Sequence, residues 1–345
     1  MKRFFTLLAT LLLLSVAAFA SAGGKVLGIV MPNATHGFLG ESIKHARAAA
    51  EEYSKANGFE YKFLTSAEAS EQNNQLDTLI NEKVDCIVLW PHNGNELRSG
   101  AMKVMEAKIP LIIYDRLIDE FKPTAEVMGD NFTIGEETGR YLNKYFAEDL
   151  KKGKVNILEF KGDNSTVPQQ RSDGFAKTAD KNINILQQFS TDWQRAKAQE
   201  QMETLLNSLK KDEVESIKAV FTHDDEVMLG VLDAIMSYSG NAKLNIKLVT
   251  GVGGRRENIE TFDIFKNDLG IDQVTYLFSP TMVRDAVKMG ADILDGKTFS
   301  GLYLIPTETI DNNNYKDYMK SERDNKKWRI RKSNHFQNYF WTWRP

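Results

Sequence analysis

A chain of 345 residues, 42% hydrophobic and 26% charged, has the make-up of an ordinary globular protein and enough length for more than one core. Its formal charge of −3, or −5 once Lys2 and Arg3 are removed with the leader described next, gives no basic surface for nucleic acid. A single cysteine, Cys86, excludes an internal disulfide, so packing must hold the fold. Its place in the apolar run "VDCIVLW" marks it as a buried, inert side chain.

Lys2 and Arg3 precede an apolar run from Phe4 to Ala20, and small residues follow as Ala18-Phe19-Ala20 or Ala20-Ser21-Ala22. A basic start, an apolar centre and a small-residue cleavage site define a signal peptide over residues 1–22. The run is short for a membrane span, and no cysteine lies nearby to carry a lipid. The mature protein is expected to be exported and soluble.

Beyond the leader the hydrophobic period switches repeatedly. "KVLGIVM" reads as a strand and "GESIKHARAAAEEYSKANG" as a helix ending at Gly58. "FEYKFLT" is a strand, 68–82 a helix, "DCIVLW" a strand, 94–107 a helix and "PLIIYD" a strand. Near Gly129-Asp130 the series restarts with "KVNILEF", the helix around "QQRSDGFAKTAD", "INILQQFS" and "WQRAKAQEQMETLLNSLKK". It continues through "IKAVFT", "DEVMLGVLDAIMSYSG", "NIKLVTG", a helix from Arg255, "QVTYLF", "SPTMVRDAVKMGADILDG" and "GLYLIP". Short apolar strands alternating with helices predict an α/β protein with two doubly wound parallel-sheet lobes.

In doubly wound folds ligands sit beyond the strand C-termini, so two facing sheets would enclose a cleft. The strand "LIIYDRLID" ends in adjacent opposite charges, Asp115 and Arg116, where a plain turn would use glycine, asparagine or proline. Other strand ends supply His36 and Phe38, Arg171, Trp193, Asp224 with Asp225, and Phe278. Carboxylates accept hydrogen bonds from hydroxyls, guanidinium offers a rigid fork of donors, and aromatic faces cover the C–H face of a sugar ring. Plainer roles compete: a solvated Arg171, a core anchor for Trp193, a loop position for His36. Asp225 suits a helix N-terminus, and Asp130 or Asn131 suits a helix cap.

Catalytic and metal motifs fail. The five histidines lack ligand spacing, and neither a G-x-S-x-G elbow nor a P-loop occurs. "GVGG" has Arg256 where a dinucleotide fingerprint needs its third glycine, and "DNNNYKDYM" lacks the glycine and glutamate of a calcium loop. No enzyme activity, cofactor or metal is expected.

Taken jointly, "IPLIIYDR", "GDNFTIGEETGRYL", "EFKGDNSTVPQQRSDGF", "TDWQRAKAQEQM", "AVFTHDDEVMLGVLDAI" and "LVTGVGG" give a chain that resembles the periplasmic sugar-binding proteins of the ribose, galactose and galactofuranose type, from "VLGIVM" to about "YLIPTETI". The resemblance implies the type I fold, two lobes joined by a three-strand hinge, closing on a monosaccharide in the periplasm. It implies a first lobe of residues 23–130 plus 279–305, a second of 131–278 plus 306–325, and a tail over 326–345. Phe38 and Trp193 would be the stacking aromatics, Asp115 and Arg116 the gripping pair, Arg171 the second lobe's arginine. Asp224 stands where asparagine is usual, Gly253 where an aspartate is common, and Phe278 where glutamine or asparagine often sits. Such a protein is expected to work as a monomer and to deliver its ligand to the permease of an ABC transporter. The alternative is a ligand-sensing receptor, autoinducer-2-like or for a sugar, presenting its closed form to a membrane sensor kinase or chemoreceptor. The basic, aromatic tail suits packing over the second lobe or docking on a membrane partner.

Overall fold

The computed structural model describes residues 24–320 and the strand Arg331–Lys332. The expected signal peptide over residues 1–22 and the rest of the tail lie outside the described residues.

The apolar runs form two sheets. The first contains β1 (Val26–Pro32), β2 (Glu60–Ser66), β3 (Cys86–Leu89), β4 (Leu111–Tyr114), β5 (Ala125–Gly129), β11 (Gly301–Ile305) and β13 (Arg331–Lys332), in the order β13-β11-β5-β4-β3-β1-β2. The second contains β6 (Val155–Lys161), β7 (Ile183–Ser190), β8 (Ile217–Thr222), β9 (Leu248–Gly253), β10 (Asp272–Leu277) and β12 (Thr309–Asp311), in the order β12-β10-β9-β8-β6-β7. Pairing is parallel except at β12 and β13, which run antiparallel on the sheet edges. Central strands such as β3 and β4 are buried along their whole length, as helices on both faces of a parallel sheet require. Cys86 lies in this core, and burial pushes its thiol up to about 12.

Helices α1 (Gly37–Asn57), α2 (Ala69–Asn81) and α3 (Gly94–Glu106) cover the first sheet. Around the second lie α4 (Asn131–Tyr145), α5 (Thr166–Thr178), α6 (Arg195–Ser208) and α7 (Asp225–Ser237). Helix α8 (Val283–Leu294) returns to the first sheet, where Val287 and Ala291 join the core that holds Leu27 and Val88. Helix α9 (Tyr315–Lys320) seats Tyr315 beside Phe262, Leu277 and Ile310 of the second.

The chain passes between sheets after β5, after β10 and after β11, and these passages are laced together. Asp130 N donates to Ile305 O at 3.0 Å, Leu277 N to Glu308 O at 2.9 Å, and Thr307 Oγ1 to Leu277 O at 3.0 Å. The sequence reading missed β5 and β12. Of the tail, read as packing over the second lobe or docking on a membrane partner, the described pair Arg331–Lys332 lies along Tyr303–Leu304 of β11 in the first sheet.

Candidate functional site

Both sheets turn their strand C-termini toward one cavity, with about 410 Å³ of atom-free space when the part open to solvent is counted. From the first sheet come His36, Phe38 and Leu39 after β1, Trp90 after β3, and Asp115 and Arg116 after β4. The second contributes Val167 and Arg171 on α5, Trp193 after β7, Asp224 after β8, Val252 at the end of β9 and Phe278 after β10. Eight of the nine residues singled out in the sequence therefore meet here. Gly253 does not. It lies behind the lining at φ 151°, where an added Cβ would come within 2.9 Å of Asp225 Oδ2. The cavity wall at that strand end is Val252 instead.

Aromatic rings form much of the lining. Phe38 stands edge-on to Trp90 at 6.2 Å between centroids and tilted against Phe278 at 5.4 Å; Trp90 in turn packs edge-on to Tyr114 at 4.9 Å. Trp193 reaches the cavity because Gly162 has no side chain: a Cβ there would fall 2.1 Å from the indole. Trp193 and Asp115, on opposite sides of the cavity, both hold left-handed backbone, φ 63° and φ 66°. Such conformations cost about 1–3 kcal/mol for non-glycine residues and persist only where surrounding contacts fix them.

The polar groups are arranged with equal economy. Arg171 is buried; its Nε donates to Asn131 Oδ1 at 3.0 Å and its Nη1 to the carbonyl of His223. Its guanidinium carbon lies 5.0 Å from the Phe278 ring centre and 5.7 Å from that of Trp193. Burial lowers its pKa to about 10, opposed by Asp224 and Asp115, so it stays charged. Asp115 Oδ1 is buried and has no partner within the protein. Burial raises Asp115 to about 6 against the pull of Arg116 and Arg171. Asp224 caps α7 through a 2.8 Å bond from Glu226 N, and burial together with Asp225 raises it to about 7. Asp225 is structural, accepting from Thr275 Oγ1 at 2.6 Å and Arg255 N at 2.8 Å. His36 is kept neutral, its pKa lowered to about 4 by burial and by Arg116.

Contacts also cross the cavity. Arg116 Nη2 lies 2.8 Å from Asp163 Oδ2, while Nη1 donates to the carbonyl of His92. Leu117 N donates to Thr166 Oγ1 at 3.2 Å, and Gly37 lies against the Arg255–Glu226 ion pair. Burial works to raise the pKa of Asp163; Arg116 and the hydrogen bond from Ser165 N at 3.0 Å outweigh it and hold the carboxylate low.

Sequence reasoning missed Trp90 and Asp163. Trp90 had a legible signal, an aromatic closing the buried run "CIVLW" immediately before Pro91. Asp163 stood in the quoted loop "EFKGDNSTVPQQR", but nothing local points it at Arg116. Asp130 does cap α4, accepting from Thr133 N at 3.1 Å, whereas Asn131 supports Arg171.

Comparison with known proteins agrees with this fold. Residues 27–298 match the family model described as a periplasmic binding protein domain. The ribose import binding protein of Bacillus subtilis is 26% identical over 231 residues, covering 67% of this chain and 70% of that protein. A Mycobacterium smegmatis protein solved with β-D-fucofuranose superposes with a TM-score of 0.75 at 20% identity, covering 87% of this chain and 95% of the other. An ABC transporter solute-binding protein from Bacillus halodurans, solved with myo-inositol, gives 0.73 at 22% identity, with 87% and 98% covered.

Proposed function

Because the chain belongs to the periplasmic binding protein domain family, whose members bind solutes without transforming them, we propose that it captures a monosaccharide or related polyol between its lobes and passes it to the permease of an ABC transporter. One observation carries this reading: aromatic faces, carboxylates and guanidinium groups converge from two sheets on a single cavity. A sugar offers matching surfaces, apolar C–H faces for the rings and hydroxyls for the charged groups. Similarity to a ribose import protein supports the transport role.

In this reading the first lobe, residues 23–130 and 279–305, and the second, 131–278 and 306–325, close on the ligand by the hinge motion established for periplasmic binding proteins. Phe38, Trp90 and Trp193 flank the ring. Asp115 and Asp224 accept from hydroxyls, Arg171 donates, and Arg116 fastens the lobes around the guest. The protein works as a monomer in the periplasm.

A thermal-shift screen against monosaccharides and polyols, followed by calorimetry, tests the binding step, because a ligand of the native form raises the melting midpoint. No hit across the panel overturns the sugar reading. Deleting the cognate permease gene should abolish uptake of the ligand found; unchanged uptake would redirect the protein to sensing.

A further inference from the structure

The cavity is chemically lopsided along the strand order of the second sheet. Counting outward from the passages between sheets, the strand ends present Phe278 after β10, Val252 on β9, Asp224 after β8 and, beyond β6, Trp193 after β7. Both residues at the hinge-side end are apolar and buried, 5% and 1% exposed. Across from them Phe38 closes on Phe278 at 5.4 Å, and the Arg171 guanidinium carbon borders this corner 5.0 Å from the Phe278 ring centre, so a side group packed between Phe278 and Val252 loses water against two apolar side chains. Hydrogen-bonding capacity begins at Arg171, on the border of this corner, and extends away from it. There Asp115 Oδ1 has no partner in the protein, Arg171 uses Nε and Nη1 internally but leaves Nη2, and Asp224 has one carboxylate oxygen beyond its cap.

We propose that this cavity selects a terminally deoxygenated aldose, a neutral sugar whose ring hydroxyls meet Asp115, Arg171 and Asp224 while its methyl group meets Phe278 and Val252. The inference rests on the sugar-binding reading above and narrows it. A hydroxymethyl group in the same place would give up its water without a partner, and such losses separate close analogues strongly.

The test is calorimetry on matched pairs of aldopentoses and aldohexoses, each with its CH2OH terminus or with CH3, across the D and L series. The deoxy member of the best-bound pair should bind at least tenfold more tightly. Phe278→Gln should narrow or reverse that ratio by giving the hydroxyl a partner. A parent sugar that binds wild type as tightly as its deoxy analogue, or a ratio unmoved in Phe278→Gln, overturns the inference while leaving sugar binding intact. Silence from every pair overturns sugar binding itself, and the narrower inference with it.

Discussion

Asp163 Oδ2 lies 2.8 Å from Arg116 Nη2, and the two residues come from opposite sheets, one following β6 and the other β4. The pair is mostly shielded, Arg116 9% and Asp163 21% exposed, so removing one partner costs more than at a surface ion pair. It forms only when the lobes are together, and its energy therefore belongs to the closed state. Asp163→Ala should leave Arg116 poorly compensated and speed ligand release about tenfold, or about 1.4 kcal/mol, with the association rate little altered. Stopped-flow tryptophan fluorescence reads both rates. An unchanged dissociation rate would show that the pair does not hold the cavity shut.

Gly162 and Trp193 act as one unit. The space that a methyl group would take at Gly162 is already filled by the indole. Trp193→Ala should cost about 2 kcal/mol of ligand affinity through lost stacking and burial. Gly162→Ala should cost a similar amount by displacing the ring, and the double variant should be no weaker than Trp193→Ala alone. Losses that simply add in calorimetry would mean that Gly162 affects binding by some other route.

Much of this site was legible because strand ends are local. A buried run such as "LIIYDR" or "IKAVFTHDD" announces where its next residues must emerge, and Asp115, Arg116 and Asp224 followed directly. What the residues could not reveal by themselves is non-local. In "TAEVMGD", Glu126 interrupts the apolar run, so β5 escaped notice although it lies between β4 and β11. Strand β11 follows the second series in sequence yet pairs with β5, a return that periodicity cannot encode. The Asp163–Arg116 pair spans 47 residues and two sheets, and only tertiary structure brings its members together.

Protonation of Asp115 gives binding a pH signature. Its folded-state pKa is raised to about 6, so the carboxylate is mostly charged at pH 7 and mostly neutral at pH 5. A sugar hydroxyl donating to it favours the charged form, so binding lowers the pKa and affinity rises with pH through that window. For one group the fall from pH 7 to pH 5 is about tenfold. Asp224, raised to about 7, adds a fall of the same sign starting about one pH unit higher. Asp115→Asn should bind more weakly at pH 7 and show a flatter profile by calorimetry. A wild-type affinity constant from pH 5 to 8 would remove Asp115 as an acceptor.

Arg171 is placed by helix contact as well as by hydrogen bonds. Helices α4 and α5 approach so closely that a Cβ on Gly135 would lie 2.1 Å from the carbonyl oxygen of Arg171 and 2.7 Å from Phe175 N. Backbone cannot yield as a flexible side chain can, so Gly135→Ala must force the helices apart. Overpacking of this kind costs about 1–3 kcal/mol. Displacing α5 also draws Arg171 away from Asn131 and from the cavity. The variant should therefore melt several degrees below wild type and bind ligand at least tenfold more weakly. A control at Glu137, whose side chain pairs with Arg140 on an exposed part of α4, should leave affinity unchanged when replaced by alanine. Circular dichroism and calorimetry on the two variants separate the effects. A Gly135→Ala protein that melts and binds like wild type would show that the contact between α4 and α5 does not set the position of Arg171.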